Sequence, residues 1–323
     1  MIELGIVGLG NWGRRLVESV QGKSSKARFK AAVVTRPERS ADFAREKGIA
    51  LGSDLDQMLG DDGIDAIVSS GPAHLHAGHS LRALKAGKPV LAVKQMALTA
   101  ADGKALGDAA MASGKLLALG YNRCFFPNVA ELRRRIGSGM LGDILHAEGN
   151  FCVNRYGKLT AGDWQSDPAN APAGALADHM LYLMIEVMGR IREVDAQGYS
   201  GATPNRLADA TAVLLRTETG KSGLLTAIGA TADYYRFQVF GSKGWIAIED
   251  ARRLVYQPAK GEREELVLEA VDAERAEIEA FADAVSGLAT FPVPVDDAVH
   301  STAVIEAMGL SAATGRPVAV AAG

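Results

Sequence analysis

The most restrictive feature of this chain is its start. The apolar run Ile2-Glu3-Leu4-Gly5-Ile6-Val7 passes directly into Gly8-Leu9-Gly10-Asn11-Trp12-Gly13 and then into a segment of helical character. Strand, glycine turn and helix in that order give the glycines separate tasks: a tight turn, close approach of backbone to a pyrophosphate, and close packing of helix on strand. The anion would sit at the helix N-terminus, where backbone N–H groups lack intrahelical partners. A GxGxxG string alone says little. In this strand-turn-helix setting it points to a dinucleotide held by Gly8, Gly10, Asn11, Trp12 and Gly13, and the competing reading is a plain tight turn in an α/β domain.

The rest of the chain fits that start. Segments 2–7, 29–35, 64–69, 89–93 and 115–119 read as strands apolar on both faces, as a parallel sheet covered by helices demands. Segments 11–20, 38–47, 55–59, 74–86 and 99–113 read as the intervening helices, and Gly22, Gly48, Gly87 and Gly114 stand at C-cap-like positions. The expectation is an α/β doubly wound parallel sheet, a Rossmann domain over residues 1–120.

Beyond Tyr121 the rhythm changes. A helix at 127–136, a strand at 144–153, a loop rich in Gly and Pro, and a helix at 179–188 precede strand candidates at 193–199, 210–217, 222–230, 236–240 and 245–249. Two of these join through Glu218-Thr219-Gly220-Lys221, a short hairpin connection. Helices at 273–285 and 297–313 and a strand at 317–320 end the chain. Consecutive strands imply an antiparallel sheet, so residues 121–323 are expected to form an α+β domain.

Composition narrows the partners. Lys and Arg number 35 against 38 Asp and Glu, a net charge of −3, which lacks the basic excess that tracks nucleic acid. Cys124 and Cys152 are too few for a disulfide framework. No run approaches the ~20 apolar residues of a membrane span, and the first residues lack a signal-peptide pattern, so a cytoplasmic location is expected. His74, His76 and His79 have helical spacing without carboxylate or Cys support, so no metal is expected.

The second strand leads into Thr35-Arg36-Pro37-Glu38-Arg39. A site preferring NAD usually carries Asp or Glu here for the ribose 2′-hydroxyl, whereas a hydroxyl and arginines suit a 2′-phosphate. NADP is therefore favoured, with NAD the alternative. Arg36 and Arg39 also admit the reading of solvated loop charges, and Arg36 can stack on adenine in either cofactor.

Gly8 to Gly13, Ser70-Gly71-Pro72-Ala73-His74-Leu75-His76, and Ala86-Gly87-Lys88-Pro89-Val90-Leu91-Ala92-Val93-Lys94-Gln95 together resemble the Gfo/Idh/MocA family of NAD(P)-dependent oxidoreductases. The likeness continues through Gly120-Tyr121-Asn122-Arg123, Gly139 to Ile144, His179 to Gly189 and Phe240 to Gly244, in the family's order along nearly the whole chain. It implies a Rossmann domain, a second domain on an open, mostly antiparallel sheet, and hydride transfer between NAD(P) and a sugar, polyol or related small hydroxy or carbonyl compound. It also implies that Ser70, Gly71, Pro72, His76, Lys94 and Gln95 serve the cofactor. The family's Glu-Lys-Pro lysine falls on Lys94, which would stabilise negative charge on the substrate oxygen, although Val93 and Gln95 replace its neighbours. The family's histidine at a helix start falls on His179, expected as the acid-base group. Ala175 stands where the aspartate four residues earlier would be, with Asp178 a second choice. Asn122, Arg123, Tyr156, Trp164, Asp178 and Tyr182 are the substrate-pocket candidates.

The resemblance further implies a homo-oligomer, dimer or tetramer, assembled through the sheet of the second domain, where strands with alternating apolar positions, such as Leu214 with Ala212 and Leu224 with Thr226, would leave one face needing cover. Two other functions compete: a catalytically weak dinucleotide-binding sensor, motivated by the altered Val93-Lys94-Gln95, and reduction of an imine or enone.

Overall fold

The computed structural model describes residues 1–160, 162–205 and 207–321. By contact the chain divides into two units, Met1–Asn122 with Asp272–Val299, and Arg123–Val271 with His300–Gly323.

The first unit alternates strands β1 (Ile2–Val7), β2 (Ala27–Val33), β3 (Ala50–Gly52), β4 (Ala66–Ser69), β5 (Val90–Val93) and β6 (Leu117–Gly120) with helices α1 (Asn11–Val20), α2 (Ala41–Lys47), α3 (Leu55–Leu59), α4 (Ala73–Lys85) and α5 (Ala100–Ser113). The sheet order is β3-β2-β1-β4-β5-β6, with every pair parallel. The winding reverses between β1 and β4, and ligands of such sheets bind at the carboxyl ends of the strands beside that point. Leu4, Ile6, Ile67, Val68, Val90 and Leu91 are fully buried, as a sheet covered on both faces requires. Three-residue β3 was not foreseen, being too short for a periodic signal.

The second unit begins with α6 (Pro127–Gly137), β7 (Ile144–Asn154), α7 (Asp178–Met188), β8 (Ile191–Tyr199), β9 (Ala210–Thr217) and β10 (Ser222–Ile228). It continues with β11 (Ala230–Gly241), β12 (Gly244–Glu249), β13 (Arg253–Pro258) and β14 (Glu264–Val267). Further along the chain come helix α8 (Ala273–Val285), which is part of the first unit, helix α9 (Val295–Thr314) and strand β15 (Val318–Ala319). Its nine-stranded sheet runs β14-β13-β12-β11-β7-β10-β9-β8-β15 and is antiparallel except for the β7–β10 pair. Helix α7 packs on β7 where Gly149 leaves room: a Cβ there would lie 2.8 Å from the Cβ of Met180.

Helix α8 belongs to the first unit, although it lies within the 121–323 stretch assigned on sequence to the second domain. Its apolar face, Ala273, Ile278, Phe281 and Ala282, is buried. Charge fixes its register: Glu274 pairs with Arg15 of α1 at 2.7 Å and Asp283 with Lys26 at 2.7 Å. No helix among the described residues is long and apolar enough to cross a membrane.

Candidate functional site

The glycine turn is built by mutual exclusion of side chains. Gly8 has φ +98°, and a Cβ there would meet the backbone of Gly71 at 2.9 Å. A Cβ on Gly13 would collide with the Gly8 carbonyl oxygen, so this glycine lets α1 close onto β1. Ser70 holds the turn from β4, its Oγ donating to the Gly8 carbonyl at 2.8 Å and its N–H to the Val7 carbonyl at 2.9 Å. Gly10 differs: it caps α1, and a Cβ on it would have no neighbour within 4 Å. Helix α1 has ten residues, no side-chain cap on its first N–H groups and no acidic residue in its first turn. Open space above a helix N-terminus that has neither a side-chain cap nor an acidic residue fits a pyrophosphate. Asn11 and Trp12 open this helix, and the Arg15 guanidinium lies 5.4 Å over the Trp12 ring.

Thr35 and Arg36 follow β2 and lead into a short 3₁₀ turn, Pro37–Arg39. Arg14, which sequence reasoning passed over, ties that loop to the glycine turn. Its Nε donates to the Leu9 carbonyl at 3.2 Å and its Nη2 to the Arg39 carbonyl at 3.0 Å, with the guanidinium 4.9 Å over Phe43. The available signal was its place directly after Gly13.

At the end of β5, Lys94 is followed by buried Gln95 through a cis peptide bond. His76, expected as a cofactor residue, is 1% exposed: its Nδ1 lies 2.6 Å from the Gln95 carbonyl oxygen and its Nε2 2.8 Å from that of Gly71. Both ring nitrogens thus face carbonyl oxygens within the fold, and the neutral ring donates to one of them through its single N–H. Burial pushes its pKa below the usual value, against the pull of these carbonyls. Asn122 donates to Glu274 at 3.2 Å and belongs to the first unit, whereas Arg123, the next residue, belongs to the second.

Sequence reasoning also missed Glu277 on α8. Its carboxyl is buried, an oxygen would lie 3.4 Å from a Cβ on Gly120 at the end of β6, and neither oxygen has a hydrogen-bond partner among the described residues. Burial first, and the nearby Glu274 second, push its pKa well above the carboxylate range.

In the second unit His179 is the second residue of α7, 7% exposed, and stacks on Phe151 at 5.9 Å. The Arg123 guanidinium lies 4.8 Å over Phe151, 4.6 Å over Tyr235 and 5.6 Å over Phe126. Arg123 and His179 therefore share one aromatic cluster. Phe151 and Tyr235 are its unforeseen members; alternation along β7 and β11 marked both positions as inward-facing. The Tyr235 hydroxyl is buried with no hydrogen bond among the described residues, and burial pushes its pKa up.

The remaining candidates are mostly built into the fold. Asp178 is 1% exposed and accepts a hydrogen bond from Ser301 at 2.9 Å. Tyr182 is buried in α7. Tyr156 packs its ring on Gly229, and burial pushes its hydroxyl up to about 12. Trp164 is half-buried in a short turn, Trp164–Ser166. Among the described residues no three His, Cys, Asp or Glu side chains stand together as a metal site.

Comparison with known proteins bears on the family and the fold. Residues 2–121 match the family described as an oxidoreductase family with an NAD-binding Rossmann fold, and residues 129–247 match the GFO/IDH/MocA C-terminal domain. Inositol 2-dehydrogenase 1 of Saccharopolyspora erythraea is 27% identical over 99% of this chain and 96% of that protein. The NADP(+) scyllo-inositol 2-dehydrogenase IolU of Bacillus subtilis is 24% identical over 78% of this chain and 77% of that protein. A solved levoglucosan dehydrogenase, in complex with NADH and L-sorbose, superposes with a TM-score of 0.88 at 21% identity, covering 99% of each chain, a likeness of fold. With both halves of the chain matched in order, the protein belongs to the Gfo/Idh/MocA family of oxidoreductases.

Proposed function

We propose that the protein is an NAD(P)-dependent dehydrogenase of a polyol or sugar-like compound, with NADP preferred. The observation that carries this reading is the open cradle at Gly10 on the same carboxyl edge of the parallel sheet where β5 ends and Lys94 follows. A bound nicotinamide would accept or supply the hydride. Lys94 holds the substrate oxygen and stabilises the negative charge that develops there. His179 takes the proton of the alcohol, or returns it when a carbonyl is reduced. Thr35 and Arg36 stand where an acidic ribose ligand would repel a 2′-phosphate. The names of the relatives supply the substrate class: inositols and an anhydrosugar. Assembly into a homo-oligomer through the exposed face of the nine-stranded sheet completes the proposal.

The test is fluorescence titration of NADPH and NADH, followed by turnover of inositols, levoglucosan and aldoses with NADP+ and NAD+. Lys94→Ala and His179→Ala should each lower turnover about a hundredfold or more, as loss of one electrostatic or acid-base group does. NADPH affinity should change far less in His179→Ala, and the double variant should lose less than the product of the single losses. Near-full turnover by both single variants would refute the assignment. Tight cofactor binding without turnover of any of these compounds would favour the sensor, for which Val93 and Gln95 beside Lys94 are the motivating observation.

A further inference from the structure

Lys94 sits just beyond the hydrogen-bonded ladder. The β4–β5 pairing ends at Ser69 with Ala92, and the β5–β6 pairing ends at Val93 with Gly120. The sheet therefore fixes the backbone up to Val93 and no further. Gln95 stands where the family's motif has proline, so no pyrrolidine ring restricts the turn there. The Gln95 side chain adds no tie, since its buried Nε2 has no hydrogen-bond partner among the described residues.

One imidazole takes over where the ladder stops. His76, in the first turn of α4, lies 2.6 Å from the Gln95 carbonyl oxygen through Nδ1 and 2.8 Å from the Gly71 carbonyl oxygen through Nε2. The carbonyl of the residue that follows Lys94 thus faces one ring nitrogen, and the other nitrogen reaches the loop that packs against Gly8. We propose that His76 is a positioning residue, which fixes the Lys94 turn to the Gly71 loop and thereby sets where the ammonium stands, without itself touching cofactor or substrate. The proposal rests on the reading of Lys94 as the group that holds the substrate oxygen. Misplacement of such a group by about 1 Å is enough to cost on the order of a hundredfold in rate.

The experiment is a kinetic cycle of His76→Phe, Lys94→Ala and the double variant, using whichever inositol or sugar and cofactor the full protein turns over. NADPH affinity is read by fluorescence. His76→Phe should lower kcat at least about tenfold while the NADPH Kd stays within about threefold. The double variant should be no slower than Lys94→Ala by more than about twofold, because a positioning residue has nothing left to position. His76→Gln, whose amide can donate toward the Gln95 carbonyl, should recover at least about threefold of the kcat lost in His76→Phe. If His76→Phe does not fold, His76→Gln carries the test, with kcat reduced and Kd retained.

A substrate-free reading is the labelling of lysines by an amine-reactive ester, followed by mass spectrometry. Lys94 should react at least about threefold faster in the variant, with the other lysines unchanged. Wild-type kcat, unchanged Lys94 labelling, a Kd that rises as much as kcat falls, or full multiplication of losses in the double variant would each overturn the proposal. Near-full turnover by Lys94→Ala is a separate result: it refutes the catalytic reading, and this inference with it.

Discussion

Gly10 and Gly13 look alike in the sequence and differ in what surrounds them. Gly10 has φ −70° with no neighbour for a Cβ, so valine fits the backbone and fills only the cradle. Gly10→Val should lower NADPH affinity at least about a hundredfold with the melting temperature little changed. Gly13→Ala should instead lower the melting temperature, because its methyl meets the Gly8 carbonyl. If both variants melted alike and bound NADPH alike, the division of labour would be wrong. Both glycines were legible because turn chemistry is local. Glu277 was not, because its burial depends on α8 returning to β6 from more than 150 residues away along the chain. Its raised pKa means that the folded state holds a proton the unfolded state gives up above about pH 4.3. Between that value and the folded pKa, stability falls as pH rises. Glu277→Gln should therefore melt higher than the parent once the pH exceeds about 4.3, and the gap should widen as the pH rises from there toward the folded pKa. A gap independent of pH would show that Glu277 is not held neutral.

The elements that sequence reasoning placed are those whose burial is two-sided or strictly alternating, such as β1, β4, β9 and β10. Strands β13 and β14 escaped because Arg253, Gln257, Glu264 and Glu265 give them a polar reading. They are held by charge, from outside through Arg135 of α6 on Glu264 at 2.7 Å and between the two strands through Arg253 on Glu265 at 3.1 Å. Asn128 of α6 acts on the neighbouring turn, which joins β12 to β13. Its buried Nδ2 shares two hydrogens among the carbonyls of Glu249, Asp250 and Arg253 at 3.3, 3.2 and 3.1 Å. These carbonyls flank Asp250, which adopts φ 48° and accepts from the Arg252 and Arg253 N–H groups. Asn128→Ala leaves them without that donor, at a cost of about 1–3 kcal/mol. Urea unfolding followed by circular dichroism checks this, and a loss below about 0.5 kcal/mol would mean that water replaces the amide without penalty.

For the molecule as a whole, one sheet face remains to be covered. Along β9 and β10 the inward side chains Val213, Leu215 and Leu225 are buried, while Leu214 and Leu224, direct cross-strand partners on the other face, are 47% and 46% exposed. A leucine pair on one face of a sheet loses transfer free energy while wet, roughly 25 cal/mol for each Å² of apolar area that a partner could cover. The surrounding side chains are paired charges, Arg216 with Glu193 at 3.4 Å and Arg236 with Glu148 at 3.9 Å. An apolar centre with a polar rim is the anatomy of a subunit interface. The self-complementary use of one such patch on two copies gives a two-fold dimer, with a tetramer requiring a second surface. Light scattering at micromolar concentration should therefore report a dimer or a tetramer. Leu214→Lys combined with Leu224→Lys places like charges directly opposite each other on adjacent strands, and across the interface as well. That variant should run as a monomer with its circular dichroism unchanged. A monomeric parent, or a double variant that keeps its oligomeric state, would leave this face without the role assigned to it.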